Sequence, residues 1–254
     1  MRVRLTGQFL NGGVFSHFML MMQNIVDYSP KEIGGIYMDC RDHRIHGNPF
    51  TFVLANTQDS HYIEKICTNR GIYTHKEGLG NGLIEKDKNF EYMKLACKKI
   101  IFHYKINEWL KMYSETYLTG NTLGIHIRTG DMSVIHPQYG KYLTEDYIKK
   151  ANELIVSEQI NTIFVATDNF ESLSKAMNQL NCRVVFFPCA LREKLDTFDN
   201  PNLQEVNLFS ERLWEECFME ALLLSRCNQL LCTTSNLTNA AILFSDSITK
   251  IHRL

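Results

Sequence analysis

The sequence predicts an α/β protein built on parallel sheets, and three observations carry that expectation. In the second half, short apolar runs alternate with longer segments of helical periodicity, which is the pattern of βαβ units. The chain has 254 residues, enough for one large domain or two compact ones of ~100–200 residues each. Hydrophobic residues make up 44% and charged residues 22%, a balance that suits a packed core and excludes a disordered, collagen-like or coiled-coil chain.

Taken in order, residues 2–6 read as a strand that leads through a Gly-containing loop, 7–13, into a helix over 14–27. A second strand follows at 35–39, then an irregular polar stretch and two helices, near 89–104 and 107–117. From there the alternation is regular. Residues 122–127 form a short apolar strand, and 143–157 a helix, with Leu143, Tyr147, Ala151, Leu154 and Ile155 at helical spacing. A buried strand at 162–166 precedes a helix at 170–180, and Pro188 stops the next strand, 183–187. The strongest helix spans 210–226, followed by a strand at 229–232, a helix at 237–244 and a last strand at 248–252. No internal repeat, low-complexity tract or Pro/Gly-rich linker interrupts the chain. A domain junction is expected near Thr119, dividing it into 1–119 and 120–254.

Charge and cysteine content narrow the partners. Lys and Arg number 27 against 28 Asp and Glu, a net charge of −1. No overall field therefore draws a nucleic-acid backbone or an anionic membrane surface, and an anionic ligand has to be met by a few local groups. The first residues are broken by Gly7 where a signal peptide would have an apolar core. The longest uncharged stretch, 9–26, holds too many polar residues to span a membrane. Eight cysteines lie far apart, several in apolar runs, so they are expected as reduced thiols in a cytoplasmic setting. The lone sequon, Asn236-Leu237-Thr238, is read as backbone chemistry in preference to a glycan site.

Four places could carry chemistry. His126 and Arg128 sit at the carboxyl end of the 122–127 strand, the end at which open parallel sheets bind ligands. Arg128 offers a forked, permanent charge suited to phosphate, or it pairs with an Asp to brace a turn. Thr233, Thr234, Ser235 and Asn236 separate a strand from a helix, where hydroxyls and free N–H groups suit an anion, or simply cap the helix. Glu220 shares a helical stripe with Leu213, Cys217 and Leu224 beside an apolar face, so its carboxylate needs a partner. A purine edge with adjacent N–H donors would serve, and so would Arg212 or Arg226. Asp168 closes the 162–166 strand region and either meets a ligand or caps the next helix. Two further features point elsewhere. Cys40, His43 and His46 have metal-ligand spacing but lack a second paired cluster, so no metal site is expected. The 7–13 loop holds neither G-x-G-x-x-G nor a GK[ST] P-loop.

Three segments occur in a telling order: Gly124-Ile-His-Ile-Arg-Thr-Gly-Asp131, Ile163-Phe-Val-Ala-Thr-Asp168, and the run from Glu220 to Asn236. They resemble the motifs shared by α-1,6-fucosyltransferases, including the nodulation enzymes, and by α-1,2- and protein O-fucosyltransferases. The resemblance covers about half the chain, 123–252, with fainter matches at Ile36-Tyr-Met-Asp39 and His46-Gly-Asn-Pro49. It implies a GT-B-like architecture of two Rossmann-like lobes with parallel sheets, the first small and irregular. Residues 1–119 would then form the acceptor-side lobe and 120–254 the nucleotide-sugar-binding lobe. It also implies transfer of fucose from GDP-fucose to a glycan hydroxyl with inversion, without a metal or other cofactor.

Residue by residue, Arg128 matches the Arg that holds the donor's β-phosphate, and His126 the motif's His near the nucleotide. Glu220 stands at the acid that contacts guanine, while Ser235 and Asn236 match the polar pair around the pyrophosphate, with Thr234 and Asp168 beside the donor. The Asn11-Gly12-Gly13 loop matches the loop that faces donor and acceptor. Asp131 and His136, just past the motif strand, are the candidates for the base. The sequence departs from the pattern at Thr129, where many relatives carry a second Arg, and at Glu220, one methylene longer than the usual Asp. Two other readings keep the pocket: a transferase of another nucleotide sugar, and a non-catalytic nucleotide-sugar or glycan-binding protein.

Overall fold

The computed structural model describes residues 2–7, 14–29, 31–40, 50, 62–67, 83–128, 142–189 and 210–254. The chain packs as two units. One is made of Met1–Trp109, Val206–Glu215 and Ser235–Phe244, the other of Leu110–Glu205, Glu216–Thr234 and Ser245–Leu254. Two late segments thus belong with the first unit, and residues 110–119 belong with the second.

The first unit is a three-stranded parallel sheet in the order β2-β1-β3, with β1 at Arg2–Gly7, β2 at Gly35–Cys40 and β3 at Tyr62–Cys67. Alternation sets the faces: Val3 and Leu5 are fully buried, while Arg4 lies over the Tyr37 ring of its register partner, 5.4 Å from the centroid. The expected helix at 14–27 is α1, Val14–Asn24, closed by a 3-10 turn at Ile25–Asp27. The helix expected near 89–104 is shorter, α2 at Phe90–Cys97, because the chain after it turns to pair Ile100 with Ile36. One element was not foreseen. β3 carries Glu64 and Lys65 at its centre and leaves Ile63 and Ile66 exposed, so it lacks the apolar face that marks a strand in sequence. It lies at the sheet edge, where Lys65 reaches Asp27 at 2.6 Å.

The second unit is a five-stranded parallel sheet in the order β6-β5-β4-β7-β8. Its strands are β4 at Thr122–Ile127, β5 at Thr162–Thr167, β6 at Arg183–Val185, β7 at Gln229–Cys232 and β8 at Lys250–Arg253. Every residue of β4, β5 and β7 is buried, as expected of strands covered on both faces. The remaining helices of the chain are α3 at Tyr104–Tyr117, α4 at Thr144–Ser157, α5 at Phe170–Gln179, α6 at Ser210–Leu224 and α7 at Asn236–Phe244. On one face Tyr147, Ala151 and Leu154 of α4 pack with Ile125, Ile163, Val165 and Leu231 of the sheet. α6 comes down close on β4: a Cβ on Gly124 would lie 2.8 Å from Leu224 Cδ2 and 3.2 Å from Cys227 Sγ. The glycine that opens the first motif therefore serves packing.

α7 packs in the first unit. Its residues from Thr238 to Leu243 are buried, and Phe244 meets Phe18 and Phe102 at 5.2 and 5.8 Å between ring centroids. That explains why its sequence is apolar nearly all round. The last strand begins two residues later than expected, and the strand at 183–187 ends at Val185. No helix of the described residues is long and apolar enough to cross a membrane.

Candidate functional site

The strand order of the second unit makes a binding place before any side chain is considered. From β4 the chain steps outward to β5 and β6 on one side, then returns to lay β7 and β8 on the other. The order reverses between β4 and β7, and in open parallel sheets the carboxyl ends of the strands at such a switch point are the usual seat of a nucleotide.

Several of the expected residues stand at this edge. Arg128 follows β4 directly, and its Nη1 lies 3.4 Å from Asp168 Oδ2 at the end of β5, both side chains partly exposed. Asp168 does not cap the next helix. Asn169 does so, its Oδ1 accepting from the Ser172 N–H at 2.8 Å. Thr233 and Thr234 follow β7, half-buried. His126 is different: it is 3% exposed within β4, opposite Ala166 and Cys232. Burial pushes its pKa down to about 3, and the Arg128 charge presses the same way. At neutral pH it is an uncharged imidazole, so the positive charge at this edge comes from arginine.

Glu220 is buried on α6 and accepts the Cys189 thiol at 3.6 Å from Sγ to Oε1. Cys217, one turn earlier, reports what surrounds it. Burial raises its thiol to about 12, with Glu220 reinforcing, Arg128 opposing, and Asp168 and Glu216 reinforcing further. The Cys217 thiol is thus within electrostatic range of the Glu220 carboxylate and of the Arg128 guanidinium. Arg226, an alternative partner for Glu220 in the sequence, is exposed in the turn after α6.

Two more of the expected residues are described. Ser235 is the N-cap of α7, its Oγ accepting from the Thr238 N–H at 3.1 Å. Asn236 is the first residue of that helix. Asn11, Gly12, Gly13, Asp131 and His136 lie outside the described residues, as do His43, His46 and the side chain of Cys40. Among the described residues no group of three or more His, Cys, Asp or Glu is placed to hold a metal ion. The seven cysteines whose side chains are described are free thiols.

Three contributors were missed in the sequence. Tyr147 reads there as one more core position of a helix, yet its hydroxyl lies 3.2 Å from Thr233 Oγ1, just past the end of β7. Burial raises its pKa to about 12, and hydrogen bonds from Thr233 and the Arg128 main chain draw it back. Arg253 at the end of β8 donates to Thr233 O at 3.2 Å and Cys232 Sγ at 3.3 Å. Cys189 stood in the sequence as an isolated cysteine, with nothing to tie it to Glu220.

Known structures of like fold agree with the architecture. A NodZ α-1,6-fucosyltransferase soaked with GDP-fucose superposes with a TM-score of 0.56 at 15% identity, over 96% of this chain and 93% of that one. The fucosyltransferase NodZ from Bradyrhizobium gives 0.57 at 14% identity, over 96% and 94%. POFUT1 in complex with GDP gives 0.53 at 10% identity, over 99% and 98%. No protein-family model and no curated protein matches the sequence. What is shared at these identities is the fold: a GT-B-type α/β chain with Rossmann-like units.

Proposed function

We propose that this chain is an inverting glycosyltransferase that moves fucose from GDP-fucose to a glycan hydroxyl without a metal ion. The observation that supports the reading is the switch point, with a forked cation, Arg128, at the end of β4 and a buried carboxylate, Glu220, on α6, both acting on the Cys217 thiol. A nucleoside diphosphate asks for that pair, with charge for the phosphates and an acceptor for the N–H edge of guanine. The solved structures of like fold include complexes with GDP and GDP-fucose, which supports the same donor.

In the reaction, the acceptor oxygen forms a bond to the sugar's anomeric carbon on the face opposite the phosphate. The bond from that carbon to the β-phosphate oxygen breaks, and GDP departs with the electron pair. Negative charge grows on the leaving phosphate as positive charge grows on the sugar, so Arg128 stabilises the transition state more than the ground state. Thr233 and Thr234 would supply further donors. The acceptor's proton passes to a base, for which Asp131 and His136 remain the candidates. His126, neutral and buried, serves as a hydrogen-bonding part of the strand end and carries no charge to the phosphate.

The test is acceptor-dependent GDP release from GDP-fucose, in EDTA, with a panel of glycans. Turnover under chelation is the expected result. Release that stops on chelation and returns with added metal ends the metal-free mechanism. Turnover of another nucleotide sugar alone replaces the donor, and GDP binding with no turnover on any glycan leaves a binding protein.

A further inference from the structure

Donor binding in this reading depends on groups that leave the sheet on either side of the switch point, Arg128 from β4 and Thr233 from β7. The ladder joining these strands runs from Leu123 opposite Gln229 to His126 opposite Cys232. Its amino end is fastened by side chains. Asn228 Oδ1 accepts from the Thr122 N–H and hydroxyl, both at 2.9 Å, and the Asn228 N–H donates to Thr122 Oγ1 at 3.0 Å. At the carboxyl end the ladder stops at His126 and Cys232, short of Arg128 and Thr233. Tyr147 stands there. Its ring is fully buried against the sheet, and its hydroxyl lies 3.2 Å from Thr233 Oγ1.

The second partner is the main chain of Arg128, through a hydrogen bond that favours the ionised phenol. A bond with that sense has the Arg128 N–H donating to the phenolic oxygen, while between the Tyr147 and Thr233 hydroxyls either oxygen can donate. A phenylalanine would fill the same space without the cost of burying a hydroxyl. The hydroxyl is satisfied by one partner from each strand end, where the ladder no longer holds them together.

We infer that Tyr147 is a positioning residue of the donor site, its hydroxyl tying the carboxyl ends of β4 and β7 so that Arg128 and Thr233 face the phosphates in a fixed geometry. What the tie serves rests on the donor reading; the tie itself does not. Arg253, which donates to the Thr233 carbonyl, holds the β7 end to β8 and reinforces the same arrangement from its outer side.

Tyr147→Phe keeps the ring and removes the tie. Amide hydrogen exchange at Arg128 is expected to quicken about tenfold or more, as an opened hydrogen bond of about 1.4 kcal/mol would give, while exchange in α5 stays as in the wild type. GDP affinity should fall by a similar factor and guanosine affinity should hold, because guanosine has no phosphate for Arg128. Wild-type exchange at Arg128 in the variant overturns the tie. Faster exchange and a lower Tm with GDP affinity unchanged overturn the positioning role and leave Tyr147 a core residue. Should Tyr147→Phe fail to fold, amide exchange in the wild-type chain decides: protection of the Arg128 N–H upholds the tie, and exchange at the rate of an open amide overturns it. A wild-type chain that binds no GDP overturns the donor reading, and exchange at Arg128 alone then upholds or overturns the tie.

Discussion

Arg128 is the side chain on which the proposed chemistry turns, and its surroundings say what its loss should cost. Its ion pair with Asp168 is 3.4 Å long and partly exposed, so it contributes about 1 kcal/mol or less to folding. Its role against a developing phosphate charge is larger, on the order of 3–4 kcal/mol for one such donor. Arg128→Ala should therefore stay folded and lose turnover on the order of a hundredfold to a thousandfold, and near-normal turnover in a folded variant removes phosphate stabilisation from the mechanism. His126 makes a prediction of a different kind. Its folded pKa, about 3, lies below the ordinary value of 6.5, so the unfolded chain binds the extra proton between those values. Stability from this residue is complete above pH 6.5 and is lost as pH falls toward 3, at about 1.4 kcal/mol per unit. Urea unfolding at pH 7 and pH 5 should show the loss, and His126→Asn should lessen it; an equal loss in both proteins refutes the assignment. At this scale the sequence disclosed charged residues at strand ends and concealed their neutral supports. Arg128 and Asp168 stand out because strand ends are polar by contrast with the strands. Tyr147 and Cys189 do not, because each acquires its meaning from a partner brought close only by folding.

Among the elements, α7 shows how two readings of one segment are separated. Ser235 caps it, and a cap of this type contributes about 1 kcal/mol. Ser235→Ala should lower the Tm accordingly, and if the hydroxyl also serves the donor, GDP affinity should fall as well. A lower Tm with unchanged GDP affinity restricts Ser235 to capping. The regular second half was legible because parallel strands buried on both faces read as apolar runs, and the helices between them as stripes. β3 was not, since an edge strand with Glu64 and Lys65 at its centre carries neither signal. The packing of α7 in the first unit was hidden for another reason. Its apolar sequence announces burial but not against which core, and only the pairing of Phe244 with Phe18 and Phe102 answers that.

For the whole molecule, composition gave a near-neutral chain with no broad field for anions, which leaves affinity to a few local groups and specificity to one of them. In the proposed donor site that group is Glu220. A buried carboxylate accepting two N–H bonds from guanine would gain roughly 1.5–3 kcal/mol from each, and the Cys189 thiol on one oxygen helps to fix its orientation. Uracil and cytosine do not present the same pair of donors. A ligand that binds only the folded chain adds about 2.7 kcal/mol of stability at a hundred times its Kd, so GDP should raise the Tm clearly in EDTA while UDP and CMP at the same concentration raise it little. Glu220→Gln keeps the size of the side chain and leaves one acceptor oxygen. It should weaken GDP about tenfold or more, since ~1.4 kcal/mol is one decade, and leave UDP nearly unchanged. Calorimetric titration of both nucleotides into both proteins separates this from a structural role. If Glu220→Gln lowers the Tm and binds GDP as before, the carboxylate belongs to the core with Cys189, and base recognition has to be sought elsewhere in the chain.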